Sequence, residues 1–214
     1  MKRSFDIGAK YGVIFIVVLF SLSPVDAMAC ACCADWGERS EVTRKIDEHE
    51  FGEISDLKIS RKANLFITAA FPEGFSGIQA SDDTFREPFD VMLTREGRKW
   101  TLVFKNVKAE RGALVLTLPE IATYFQIDIH DGKQGGGGGP LLYKEMRVEG
   151  NGWGNGIFEK GITSDTKFHL VLQGRGNRCL SVNDFKNWNL RISGSKASYS
   201  FYGAFAKPTK QKQK

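Results

Sequence analysis

The chain has 214 residues, of which 42% are hydrophobic, 12% aromatic and 26% charged, with only 6 prolines. This composition belongs to a packed globular protein and excludes a disordered, collagen-like or coiled-coil chain. The formal net charge of +5 sits at the ends: residues 1–29 carry +1, residues 207–214 carry four lysines and no acid, and the body between them is close to neutral. A nucleic-acid partner needs a basic face interleaved with aromatic residues, and the tail has no aromatic at all. No nucleic-acid binding is therefore expected, and residues 206–214 are expected to form a basic, solubilising tail.

From the amino terminus, Lys2, Arg3 and Lys10 precede a short apolar run from Tyr11 to Leu22, Ser23-Pro24 breaks it, and Ala27-Met28-Ala29 offers a cleavage site. This order predicts a cleaved signal peptide over residues 1–29 and export to the periplasm or the medium. The run is short for a permanent anchor, so the mature chain is expected to hold no transmembrane helix. A cysteine directly after the segment also raises a bacterial lipoprotein, with a lipid anchor at Cys30. Against it, Ala27 stands where a lipid-attachment site has Leu or another large aliphatic residue, the charged Asp26 precedes it, and soluble export is preferred.

Residues 30–50 form a Cys-rich amino-terminal segment, within which 38–50 is the best helix candidate, with Val42 and Ile46 four apart. Residues 51–205 read as a mainly β unit, an antiparallel β-sandwich or barrel-like domain, because the dominant period is two. Phe125-Gln126-Ile127-Asp128-Ile129-His130 alternates without a fault, and Trp100-Thr101-Leu102 and Phe168 to Gln173 nearly so. Further strands are expected at 56–60, 64–70, 90–94, 113–118, 142–148, 189–192 and 199–202. A single turn of helix is expected at 119–124, opened by Pro119. Turns are expected at Arg95 to Arg98, Glu110 to Gly112 and Gly174 to Asn177, where glycine supplies positive φ. The Gly135 to Gly139 run predicts a flexible loop over 133–140 within one domain rather than a linker between two.

The most specific chemical feature is the cysteines: Cys30, Cys32 and Cys33 together, and Cys179 far along the chain. An even count in an exported chain favours disulfides, and joining the adjacent Cys32 and Cys33 is the least favoured pairing because of the strained ring. Cys30 with Cys33 and Cys32 with Cys179 would pin the amino terminus to the far end of the chain. The alternative is a soft-metal site in which the four thiolates hold Cu(I) or Zn; no other cofactor is implied. The spacing lacks the two separated Cys-x-x-Cys knuckles of a zinc ribbon, so disulfides are preferred.

Asp128, His130 and His169 are expected on polar strand faces, where a carboxylate and imidazoles can bind Zn or exchange protons; solvated surface is the preferred account. His49 lies in a charged stretch with no evident partner. In Gly150-Asn151-Gly152-Trp153-Gly154-Asn155-Gly156, two Asn-Gly turns are expected around an indole. Trp153 is a candidate ligand contact that stacks on a sugar or an apolar group, although folding back to plug the open end of the sandwich is preferred. Trp100 and Trp188 are expected in the core, and Trp36 against the amino-terminal segment. No nucleophile elbow, zinc-protease motif, P-loop or dinucleotide fingerprint is present, and no catalytic residue is assigned. The sequence thus points to an exported envelope or secreted β-domain that binds an envelope component or a carbohydrate, or serves as an accessory protein. A soft-metal protein and a hydrolase of envelope polymers are the alternatives.

Overall fold

The computed structural model describes residues 35–67, 88–135, 138–177 and 181–206. The expected signal segment, all four cysteines, the end of the strand expected at 64–70 and residues 207–214 lie outside the described residues. Eleven strands build one antiparallel sheet that does not close: β1 (Arg39–Lys45), β2 (Ile59–Ile67), β3 (Pro88–Glu96), β4 (Lys99–Lys105), β5 (Arg111–Thr117), β6 (Ile121–Ile127), β7 (Leu142–Gly150), β8 (Gly152–Gly156), β9 (Lys167–Gly176), β10 (Phe185–Gly194) and β11 (Ala197–Phe205). Their spatial order is β1-β6-β7-β9-β10-β11-β2-β3-β4-β5-β8. Strands from before and after the Gly135 to Gly139 run interleave in this order. Between β6 and β7, Gln134 is bridged to Pro140 and the Gly135 amide donates to the Gly139 carbonyl.

The sheet folds over on itself, which makes the architecture sandwich-like. Period-two alternation gives most strands one apolar face, and these faces meet: Phe104 of β4 stacks on Phe201 of β11 at 4.1 Å between centroids. Phe89, Phe158 and Tyr199 pack edge-on around Phe201. Each fully buried ring contributes roughly 2 kcal/mol of transfer free energy. Trp100 and Trp188 are in this core, as the strand pattern implies. A gap of about 10 Å³ with an apolar lining lies between Ile54, Trp100, Met146 and Leu172, too small for a ligand.

Several expected elements differ, each for a local reason. Residues 38–50 are not one helix: Arg39 to Lys45 pair fully with β6, where the β-branched Val42 and Thr43 suit a strand. The helix α1 (Glu48–Asp56) starts only where Asp47 accepts a hydrogen bond from the Glu50 amide, an Asp-x-x-Glu start signal that sits inside the expected span. It therefore also occupies the first residue of the strand expected at 56–60. Residues 119–124 carry the start of β6 rather than a helical turn, because the Pro119 region is a bend between two sheet segments. β6 ends at Ile127, so the alternation through His130 overruns the strand.

Of the turn expected at Glu110 to Gly112, Arg111 and Gly112 are already strand; the reversal is at Asn106 to Glu110, with Ala109 at φ 65°. Gly174 and Gly176 lie in β9, not in a turn. A Cβ on Gly174 would fall 1.7 Å from the Asp184 carbonyl oxygen, and one on Gly176 would fall 1.9 Å from the Asp184 carboxylate. These glycines let the Val182–Asp184 turn pack onto β9, where Asp184 pairs with the buried Lys144 at 3.0 Å. Trp36 is 58% exposed rather than packed down. No helix among the described residues is long and apolar enough to cross a membrane.

The two kinds of glycine predict opposite outcomes in urea unfolding. Gly174→Ala forces backbone against backbone and is expected to cost about 3 kcal/mol, the upper range for overpacking. Gly52→Ala, in α1 with no atom within 4 Å of the new Cβ, is expected to stabilise by about 0.5–1 kcal/mol.

Candidate functional site

The environment of Trp153 follows from a corner in the sheet. The β5–β6 and β7–β8 segments each bend from one layer into the other, so β5 pairs with β8 on one side and β6 with β7 on the other. At the bend the two backbones come so close that a Cβ on Gly150 would lie 3.0 Å from the Thr117 carbonyl oxygen. One on Gly152 would lie 2.5 Å from the Val115 carbonyl oxygen and 2.9 Å from the Phe168 ring. Gly154 has Ile162, Phe158 and Leu114 beneath it in the same way. The glycines thus face inward, and the alternation of β8 sends Trp153 out.

The expected Asn-Gly turns are therefore a strand, and the indole does not plug the sandwich; it is 50% exposed. Asn155 is tied down, its side-chain oxygen accepting from the Ala113 amide at 2.9 Å. Trp153 stands opposite Val115, which faces Thr101, which faces Thr94. The neighbouring cross-strand row is Met92, Val103 and Ala113. Met92 is 59% exposed, whereas Ala113 and Val115 are buried. The result is an outward apolar patch on β3, β4, β5 and β8 with the indole at one side. Its other members carried a sequence signal that alternation alone overlooks: Leu102-Val103-Phe104 and Ala113-Leu114-Val115-Leu116 are continuous apolar runs, which mean apolar residues on both faces.

At another end of the sheet, Arg39, Ile127, Tyr143 and Arg175 form one cross-strand row through β1, β6, β7 and β9. Three strand spacings separate Arg39 from Arg175, roughly 14 Å. The chain before β1 is held here: the Asp128 carboxylate accepts from the Gly37 amide at 3.0 Å and from the His130 amide at 2.8 Å, and the Asp128 amide donates to the Glu38 carbonyl. Asp128 is buried. Those two backbone donors, Gly37 first, hold its carboxyl below the usual range. The Asp131 carboxyl is also held low, by the two-pronged contact with the Arg175 guanidinium at 2.7 and 3.0 Å.

The histidines do not converge. His130 has a positive φ of 53° and lies past the end of β6, with its Nδ1 3.0 Å from the Asp128 carbonyl oxygen. His169 pairs with Glu149 at 3.4 Å, at the opposite end of β7, roughly 20 Å away along the strand. His49 has a partner after all, Glu53 one helical turn on at 3.9 Å. Among the described residues no three His, Cys, Asp or Glu side chains are grouped to hold a metal ion. The displaced carboxyls all move down: Asp90 beside Lys62, Asp128, Asp131, and Asp165 to about 2 through the Thr163 hydroxyl and Ser195. In each of these four the surroundings favour the charged carboxylate.

The Asp128 knot is testable by acid. A carboxyl held low in the folded protein stabilises fully above the ordinary value of about 3.9 and loses its contribution as pH falls through the lower folded value. Amide exchange at Gly37 and His130 is expected to stay slow until the pH drops below about 4 in the native chain. In Asp128→Asn both amides are expected to exchange faster across the whole pH range.

No protein-family model, no curated protein and no solved structure matches this chain.

Proposed function

We propose that the chain is an exported cell-envelope or secreted β-domain that acts by binding, with no chemistry of its own. In this reading Trp153 takes an apolar group or sugar face of an envelope component. The observation that carries it is the outward indole on a strand whose inward positions are all glycine. A rigid aromatic on a rigid strand loses little entropy on binding, and such residues dominate interface energies. On the same outward face the exposed Met92 and its cross-strand partner Val103 add apolar surface. Export is supported by the order of charges, apolar run and small residues in residues 1–29.

A photo-reactive phenylalanine analogue at position 153 is expected to trap an envelope component in cells, whereas the same probe at Glu41 on β1 traps none. Trp153→Ala is expected to unfold within about 0.5 kcal/mol of the native chain. It is also expected to weaken retention on isolated envelopes at least about tenfold, or ~1.4 kcal/mol. Cytoplasmic fractionation, or equal trapping from both positions, would overturn the reading.

A second reading, the sulfur staple or soft-metal site, is favoured by one observation. The chain leading to Arg39 and the chain leaving Arg175 meet the same end of the sheet. Cys33 is six residues before Arg39 and Cys179 four after Arg175. At up to about 3.3 Å per residue those stretches together exceed the gap of roughly 14 Å. The reading therefore holds that Cys179 joins Cys30, Cys32 or Cys33 in a disulfide, or shares Cu(I) or Zn with them. Mass spectrometry of the mature chain before and after reduction is expected to show disulfides, and would also show any lipid on Cys30. A reduced chain that binds neither Cu(I) nor Zn, or binds them unchanged in Cys179→Ser, eliminates the metal form; four free thiols eliminate the staple.

A further inference from the structure

The outer face of β9, β10, β11 and β2 carries a group of uncharged hydrogen-bonding side chains that the Trp153 reading leaves unused. Asn189 of β10 stands directly opposite Tyr202 of β11, and Tyr202 directly opposite Asn64 of β2. Val171 continues this row on β9, and the next row sets Gln173 opposite Asn187. All of them alternate with buried core residues (Leu170, Leu172, Trp188, Leu190, Phe201 and Leu65), so they share the opposite, outward face. Tyr202 is 39% exposed, Asn187 is exposed, and the other polar members are half-buried. None of the four carboxamides makes a hydrogen bond with another described residue, and neither does the Tyr202 hydroxyl.

Asparagine is a poor strand residue, because its short amide competes for backbone groups and packs badly on a pleated surface. A strand face that merely meets water is better served by threonine and long charged residues, as on β1, where Arg39, Glu41, Thr43 and Lys45 fill these positions. Three asparagines at mid-sheet positions on one face, around a tyrosine, work against local propensity, and such conflicts mark functional positions. We propose that this face is a binding site for an uncharged saccharide. The Tyr202 ring offers a flat surface to the C–H side of a sugar ring, and the carboxamides each offer both donors and an acceptor to its hydroxyls. From Asn189 to Asn64 the row spans about 10 Å, the scale of a disaccharide.

Charge selects the neutral class. The flanking charges have both signs, Arg191, Arg147 and Lys62 against Glu149, Glu145 and Asp90; Glu145 is bound to Arg147 and Tyr143, Lys62 to Asp90, and Arg191 and Glu149 flank His169 in one cross-strand row. No single-sign field is left to attract an ionic ligand. The proposal does not rest on Trp153, which lies on the β3-β4-β5-β8 part of the sheet.

The test uses the full mature chain with three neutral probes: maltohexaose, cellohexaose and the hexamer of N-acetylglucosamine. At least one is expected to shift the side-chain amide resonances of Asn64, Asn187, Asn189 and Gln173 in a saturable way. Tyr202→Thr and Asn189→Thr substitute good strand formers, so each is expected to keep or raise the unfolding midpoint while weakening binding at least tenfold. Glu41→Gln on β1 is expected to bind as the native chain does. The proposal is overturned if no probe shifts these resonances at millimolar concentration, or if binding survives both threonine variants. It is also overturned if the threonine variants lose binding only in proportion to lost folding. Trapping from position 153 is read separately, so either result can fail without the other.

Discussion

The feature on which the rest of the structure depends is the missing side chain on the inward face of β8. Gly152 lies so close to the Val115 carbonyl and the Phe168 ring that any Cβ would have to push one of them away. That closeness allows the β7–β8 segment to leave the layer of β9 and cross to β5, which folds one sheet into two facing layers. Without the crossing, the apolar faces of β4 and β11 would lack each other. Phe104 could not reach Phe201, three strands away in sheet order. The same constraint leaves a side chain only on the outer positions of β8, so the exposure of Trp153 is a consequence of how the corner is built.

The region near α1 shows a second device, the use of arginine planes over aromatic rings. Arg44 lies 4.1 Å above the Tyr124 ring and pairs with the buried Glu50 at 3.0 Å. Arg98 covers Phe51 at 4.6 Å and donates to the Pro119 carbonyl, and Arg95 covers Trp100 at 4.4 Å and donates to the Leu57 carbonyl. Each guanidinium thereby joins α1 or its flanks to a strand or to the Pro119 bend. The planar head suits this role because it stacks and donates in its plane at once, which an ammonium does not do. Glu50 gains from burial only while Arg44 remains, since an unpaired buried carboxylate is costly.

Strand existence was legible because burial on one face imposes period two, and Asp90 to Thr94, Leu142 to Val148 and Tyr199 to Tyr202 all fall inside observed strands. Glycine misled the reading. In isolation, Gly174-Arg175-Gly176 and Gly150-Asn151-Gly152 look like turns, since positive φ is the commonest local use of the residue. Here they lie within or beside strands to admit Asp184, Thr117 and Phe168, contacts distant in sequence. The helix was misplaced for a related reason: Val42 and Ile46 are four apart, but Val42 belongs to a strand edge and Ile46 to the core. The Asp47 start signal was local and readable, whereas the pairing of β1 with β6 was not. Of the candidate site, Trp153 was visible as an indole among glycines, but its direction depended on which layer β8 joined. The Asn64, Tyr202 and Asn189 row was invisible, because it exists only through the register of three strands from distant parts of the chain.

The fold separates two surfaces of different chemistry on one continuous sheet. The β3-β4-β5-β8 part presents Met92, Val103 and Trp153, and the β9-β10-β11-β2 part presents carboxamides around Tyr202. Both lie on strands, whose backbones are fixed by pairing on both sides except at the β8 edge, so neither has to be ordered when it is used. The two parts are joined through β2 and β3, where Lys62, Ala63 and Asn64 pair with Asp90, Phe89 and Pro88. An apolar contact at one part and a hydrogen-bonded contact at the other can then be occupied together, without competing for the same side chains. A chain with two such faces suits the proposed envelope role better than a single pocket does, since it can hold a component against a second one instead of enclosing a small molecule.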